Sequence, residues 1–237
     1  MARQSGLDRR AAFLAIAGVG ALATLQGCRA GEAGEQDITA TEDMMREHGV
    51  LRRILVAYRE TAAMIRAGTR FDVAALADAA ELFRTFGEDY HERKLEEERV
   101  FPAVKKAGGP AAPLIDVLLQ QHRRGREINL FLIDSCRGGN IPDARRQDVA
   151  ASLESYARMY EAHTAREDTI VFQAWRKSLS EHQLKEVSEE FEDIEKAQFK
   201  GDGFDQAVDR IVDIEQRLGI ADLARFTAPP RQELARL

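Results

Sequence analysis

The sequence predicts an all-α protein, an antiparallel up-down-up-down four-helix bundle carrying two extra C-terminal helices. Three observations lead there. Helix formers dominate the 237 residues, while prolines number six and β-branched runs between turn signals are scarce. Four long stretches repeat apolar residues at helical spacing, separated by short Gly/Pro punctuation. Connections that short between helices of roughly 26 to 36 residues, about 40–50 Å each, imply antiparallel neighbours.

Residues 1–28 read as an export signal. A basic start with Arg9 and Arg10 leads into AAFLAIAGVGALAT and then Leu25-Gln26-Gly27-Cys28. The apolar run of about 15 residues falls short of the roughly 20 needed to span a bilayer. RRAAFL resembles a twin-arginine export motif with its Phe one place later than usual. LQGC resembles a bacterial lipoprotein cleavage box, which would make Cys28 the lipidated first residue. The expected location is extracytoplasmic or periplasmic, with membrane contact only through that anchor. One acyl chain holds weakly, so lasting attachment needs more than one.

A polar linker, residues 29–38, precedes the bundle, residues 39–178. Helix one runs from a cap at about Thr41 to Ala67, with Met44, His48, Leu51, Leu55, Tyr58 and Ala62 on one stripe. Helix two starts after Asp72 and passes Pro102, which should bend its last turn, before Gly108-Gly109-Pro110 stops it. Helix three spans about Ala112 to Arg137. Helix four follows Pro142-Asp143 and ends near Lys177. In the extension, residues 179–237, Ser180-Glu181-His182-Gln183 reads as a capping box opening a fifth, acidic helix. After Gly201-Asp202-Gly203, a sixth helix from Phe204 to Leu218 turns its apolar side to the bundle. No internal repeat is apparent.

Composition narrows the function. The formal charge is −6, and −8 once residues 1–28, with three Arg and one Asp, are set aside, so nucleic acid is not an expected partner. The two cysteines, Cys28 and Cys136, form neither a disulfide framework nor a thiolate metal site. Cys136 and Trp175 are assigned to the core, as are Tyr58, Tyr90, Tyr156 and Tyr160.

Four of the five histidines fall one to each bundle helix, and each lies on its helix's apolar stripe: His48, His91, His122 and His163. One inward histidine is ordinarily a satisfied core residue, but four, one per helix, point to a shared site. Imidazole with carboxylate suits iron, whereas thiolates suit zinc or clusters. Helix four supplies His163-x-x-x-Glu167, one turn apart. Helix two supplies His91 followed by Glu92, Glu96, Glu97 and Glu98. Glu96 lies five residues past His91, about 140° away on a regular helix, so a widened turn with i→i+5 bonds is expected within residues 91–97. Glu92, Glu97 and Glu98 fit a solvated face. His182, among acidic neighbours on the fifth helix, is left out of the site.

The segments EHGVLRRIL, YHERKLEEERVFP, LLQQHRRGREI and HTAREDTIVFQ resemble the four signature segments of the hemerythrin-like, or HHE, family over about residues 39–178. The resemblance implies a four-helix bundle around an oxygen-bridged di-iron centre, with two bridging carboxylates and capping histidines. Its ligands fall on His48, His91, Glu96, His122, His163 and Glu167. Two departures stand out. Helix three offers only His122, with Arg126 where a second histidine is usual, so one iron has a differently filled position that Glu92 is a candidate to fill. The interval from His91 to Glu96 is five rather than four.

Three functions compete. The first is reversible binding of O₂ or a related small molecule, as carrier, store or sensor. The second is an oxidoreductase acting on peroxide or nitric oxide, served by an unidentified electron donor. The third is a metal-free scaffold. A ferritin-like di-iron bundle is disfavoured because Glu88-x-x-His91 is the one Glu-x-x-His pair.

Overall fold

The computed structural model describes residues 38–231. The expected leader, with Arg9, Arg10 and Cys28, and nearly all of the linker lie outside the described residues. Helix α1 is Ala40–Arg66, α2 spans residues 73–107, α3 is Leu114–Cys136 and α4 spans residues 143–178. Helices α5, Glu181–Phe199, and α6, Gly203–Leu218, follow, and a 3₁₀ turn occupies Leu223–Phe226. Among the described residues there is no strand, and no helix is long and apolar enough to cross a membrane.

Local chemistry sets the helix ends. Thr39, not Thr41, caps α1: its hydroxyl accepts from the Glu42 amide, and the Glu42 carboxylate accepts from the Thr39 amide at 3.0 Å. Thr41 is instead buried in the first turn. Asp72 caps α2 by accepting from Ala74 and Ala75 at 2.9 and 3.2 Å. The Ser180–Gln183 box opens α5 as expected. Gly108, at φ 74°, ends α2 in a conformation that a side chain would strain.

Two helices depart from α geometry. The expected widening in α2 is present but far longer than residues 91–97: i→i+5 bonding runs from Phe83 to Val100, with α-helix on both sides. A second widened stretch, Glu167–Val171 in α4, was not expected. Pro102 sits two residues past the first stretch, at the return to α geometry. Widened turns of this kind are rare, occur mostly as single-turn bulges within α-helices, and are frequent at functional sites.

Helix α1 packs chiefly on α4, α3 on α4 and α2, and α6 on α1 and α2. Arg53 forks onto Glu215 at 2.8 and 2.5 Å, and Arg217 bridges Asp72 and Asp78 at 2.9 and 2.6 Å, tying α6 down. Trp175 stacks on Phe191 of α5. Inside, Tyr58, Phe83, Tyr156 and Tyr160 form an aromatic layer with centroids 4.6–6.5 Å apart. The Cys136 thiol is buried, which pushes it up to about 11.

Candidate metal centre

Next to the aromatic layer the interior turns polar. The structure brings six of the sequence-selected residues together: His48 from α1, His91 and Glu96 from α2, His122 from α3, and His163 and Glu167 from α4. All are buried, and Glu96 and Glu167 are 0% exposed.

The imidazoles meet in two pairs. Nε2 of His48 lies 3.0 Å from Nε2 of His91, and Nε2 of His122 lies 3.1 Å from Nε2 of His163. Each carboxylate spans both pairs. Glu96 places Oε1 3.4 Å from His91 and Oε2 3.3 Å from His122. Glu167 places Oε1 3.0 Å from His163 and Oε2 3.6 Å from His48. The widened turn in α2 is what brings Glu96 onto the side of His91, five residues away.

The outward ring nitrogens show what the inner ones can do. Nδ1 of His48 faces Asp168 at 2.6 Å, that of His91 faces Glu47 at 2.5 Å, that of His122 faces Glu97 at 2.8 Å, and that of His163 faces the Gln121 amide oxygen at 2.9 Å. These oxygens accept, so each Nδ1 carries a proton and a neutral ring presents its Nε2 lone pair inward, while against the cost of burial the neighbouring carboxylates hold His91 and His122 well above the ordinary imidazole value. The supports close a ring, α1 to α2, α2 to α3, α3 to α4 and α4 to α1. Two neutral rings so placed, 3.0 and 3.1 Å apart, repel unless a cation or a shared proton lies between them. All four oxygens of Glu96 and Glu167 lack a hydrogen-bond partner. In a native interior such groups cost about 1–3 kcal/mol each, or more when charged, and call for an ion to satisfy them.

The charges are correspondingly strained. Burial, with Glu96 adding to it, pushes the Glu167 carboxyl well above its usual range. Burial opposes ionisation of Glu96 too, but His91 and His122 hold it well below its usual range. Burial, and then His122, holds His163 well below the ordinary imidazole value.

Glu92 is placed differently. Its oxygens take the Tyr160 hydroxyl and, at 3.0 Å, the Arg126 guanidinium, and it lies 3.9 Å from Nδ1 of His122, at the ring edge turned away from the pair. Glu97 corrects the expectation of a solvated face, since it supports His122 and pairs with Arg126. Glu98 is exposed with Lys94. His182 is exposed beside Glu186, outside the cluster.

Sequence reasoning missed Glu47, Gln121 and Asp168. The available signal was adjacency: each sits next to an inner residue in the chain but supports the imidazole of another helix. It also missed a repeat. Exchanging α1 and α2 with α3 and α4 maps His48 onto His122, His91 onto His163, Glu96-Glu97 onto Glu167-Asp168, and Glu47 onto Gln121. Both widened stretches end at a Val followed by a Phe, and Phe101 stacks on His122 as Phe172 stacks on His48, at 5.5 and 5.3 Å. Arg126 pairs with Glu97 as Arg52 pairs with Asp168.

A helical bundle closed around four inward imidazoles and two unsatisfied carboxylates is a metal-binding bundle. Comparison with known proteins agrees: the model of the hemerythrin HHE cation-binding domain matches residues 39–175, and the chain belongs to that family. A protein of Mycobacterium tuberculosis and one of Mycobacterium bovis, each described as uncharacterized, are 42% identical to it over 194 residues, 81% of this chain and 75% of theirs. No solved structure matches.

Proposed function

We propose that this chain is a non-haem di-iron protein that binds O₂ or a related small molecule reversibly, as carrier, store or sensor. The observation that carries this reading is the pairing itself: two Nε2 pairs joined by two carboxylates whose four oxygens have no other partner. His48 and His91 would hold one ion, His122 and His163 the other, with Glu96 and Glu167 shared between them. The imidazole and carboxylate donors suit iron, and iron so held supplies a site where a small ligand can bind. The rest is done by the chain's own atoms. The ring of supports fixes the tautomers, and Phe101 and Phe172 cover two of the rings and exclude water.

In this reading the four histidine-bearing helices form the family's antiparallel up-down-up-down bundle over residues 39–178. The two later helices cover one flank, the attachment being the arginine pairs of α6. The leader would export the chain and Cys28 would anchor it by lipid. Iron analysis of the purified protein should give close to two ions per chain, with both lost in Glu167→Ala and at least one in His122→Ala. A visible spectrum that changes reversibly with O₂ supports the function, and protein with no iron defeats it.

One observation favours the oxidoreductase reading. Tyr160 and Glu92, both buried, and the half-buried Arg126 form a hydrogen-bonded group beside His122, where a hydroxyl and a carboxyl can hold and pass a proton. Turnover of peroxide or nitric oxide well above the rate of free iron, abolished in Tyr160→Phe, would put that reading first.

A further inference from the structure

The repeat of the centre is nearly complete, and the place where it breaks is informative. Each imidazole of one half has a counterpart in the other, and so does each support. Asp168 with Arg52 behind His48 matches Glu97 with Arg126 behind His122. The remaining two supports do not match. His91 rests on Glu47, a fully buried carboxylate whose other oxygen has no hydrogen-bond partner. Its counterpart, His163, rests on the neutral amide of Gln121.

A buried carboxylate behind an imidazole raises the ring's basicity and strengthens it as a ligand, and an amide does so less. In the His48 and His91 pair both rings therefore rest directly on carboxylates, whereas in the His122 and His163 pair only one does. Glu92, which shares Arg126 with Glu97, lies 3.9 Å from Nδ1 of His122, too far to support the ring by a hydrogen bond.

A second, independent feature falls on the same side. A cavity of about 240 Å³ between α3 and α4 is lined by Leu114, Val117, Leu118, Gln121, His163 and Arg166, among others. Open space thus comes up against an imidazole of the centre at the residue whose support is weakest.

Building on the di-iron reading, we infer that the two metal positions are unequal: the His48/His91 position holds its ion more tightly, and the His122/His163 position, reached through the α3–α4 cavity, exchanges first and meets the external ligand. Gln121 is a positioning residue in this scheme, acting through His163.

The test uses the full chain loaded with iron(II) alone under anaerobic conditions, with release to a colorimetric ferrous chelator followed in time. The wild type should release two ions in two phases with rates about tenfold apart, the scale on which outer supports change metal affinity. Gln121→Glu should slow the fast phase about tenfold and leave the slow one, whereas Glu47→Gln should accelerate the slow phase. Leu118→Trp, which fills the cavity, should slow only the fast phase. Uptake of two ions followed by release at one common rate overturns the inference and leaves the di-iron reading intact. So does a Gln121→Glu effect confined to the slow phase. Failure to take up iron at all overturns both. Should Glu47→Gln not fold, the wild-type phases and Gln121→Glu still decide.

Discussion

Two neighbouring regions of the interior are built on opposite terms. The aromatic layer satisfies itself: Tyr58 donates to Asn129 at 3.1 Å, Asn129 donates to the Ala80 carbonyl at 3.0 Å, and the rings pack edge-to-face or stacked. The His/Glu region, equally buried, leaves four carboxylate oxygens without hydrogen-bond partners and sets two pairs of ring nitrogens 3.0 and 3.1 Å apart. One region is complete with the atoms of the chain, and the other is complete only with a cation. Burial alone therefore does not define a core. What matters is whether each buried polar atom finds its partner within the polypeptide.

Metal removal breaks this comparison most sharply. With free iron at a thousandfold excess over its dissociation constant, the ion-loaded protein should be about 4 kcal/mol more stable than the chelated one. In Glu167→Gln that gain should vanish, while the chelated form stays within about 1 kcal/mol of wild type, because the buried Glu167 carboxyl already favours its neutral form. Denaturant unfolding with and without chelator checks both, and a fully retained gain in the variant would contradict the shared-carboxylate arrangement.

Next in size is the aromatic layer. Phe83→Ala should cost about 3–5 kcal/mol in loaded and chelated protein alike, with iron content unchanged. An equal loss of iron would show that the two regions are not separable.

The smallest effect sharpens the boundary between them. Glu88 faces Tyr156 at 3.5 Å, and burial, with Glu92 adding to it, raises it from 4.5 to about 8. A carboxyl raised on folding contributes stability that is full below pH 4.5 and lost as pH climbs through about 8. Stability should therefore fall by up to a few kcal/mol across that window. Glu88→Gln should flatten the fall, and unchanged slopes of stability against pH in the two proteins would refute the assignment.

Helical periodicity, caps at Asp72 and Ser180, and glycine stops at Gly108 and Gly138 are local signals, so the helices were legible to within a few residues. The stripe positions of His48, His91, His122 and His163, and the turn from His163 to Glu167, were legible for the same reason: periodicity reports which way a side chain points. Even the five-residue step from His91 to Glu96 announced a widened turn, although not its full length. Only the tertiary structure decided which partner each group meets. Glu97 looked solvated because its own helix says nothing about α3 lying over it, and Glu47, Gln121 and Asp168 each support a ring on a different helix. Those contacts are set by how the helices pack, and packing is a property of pairs of helices that neither sequence segment carries alone.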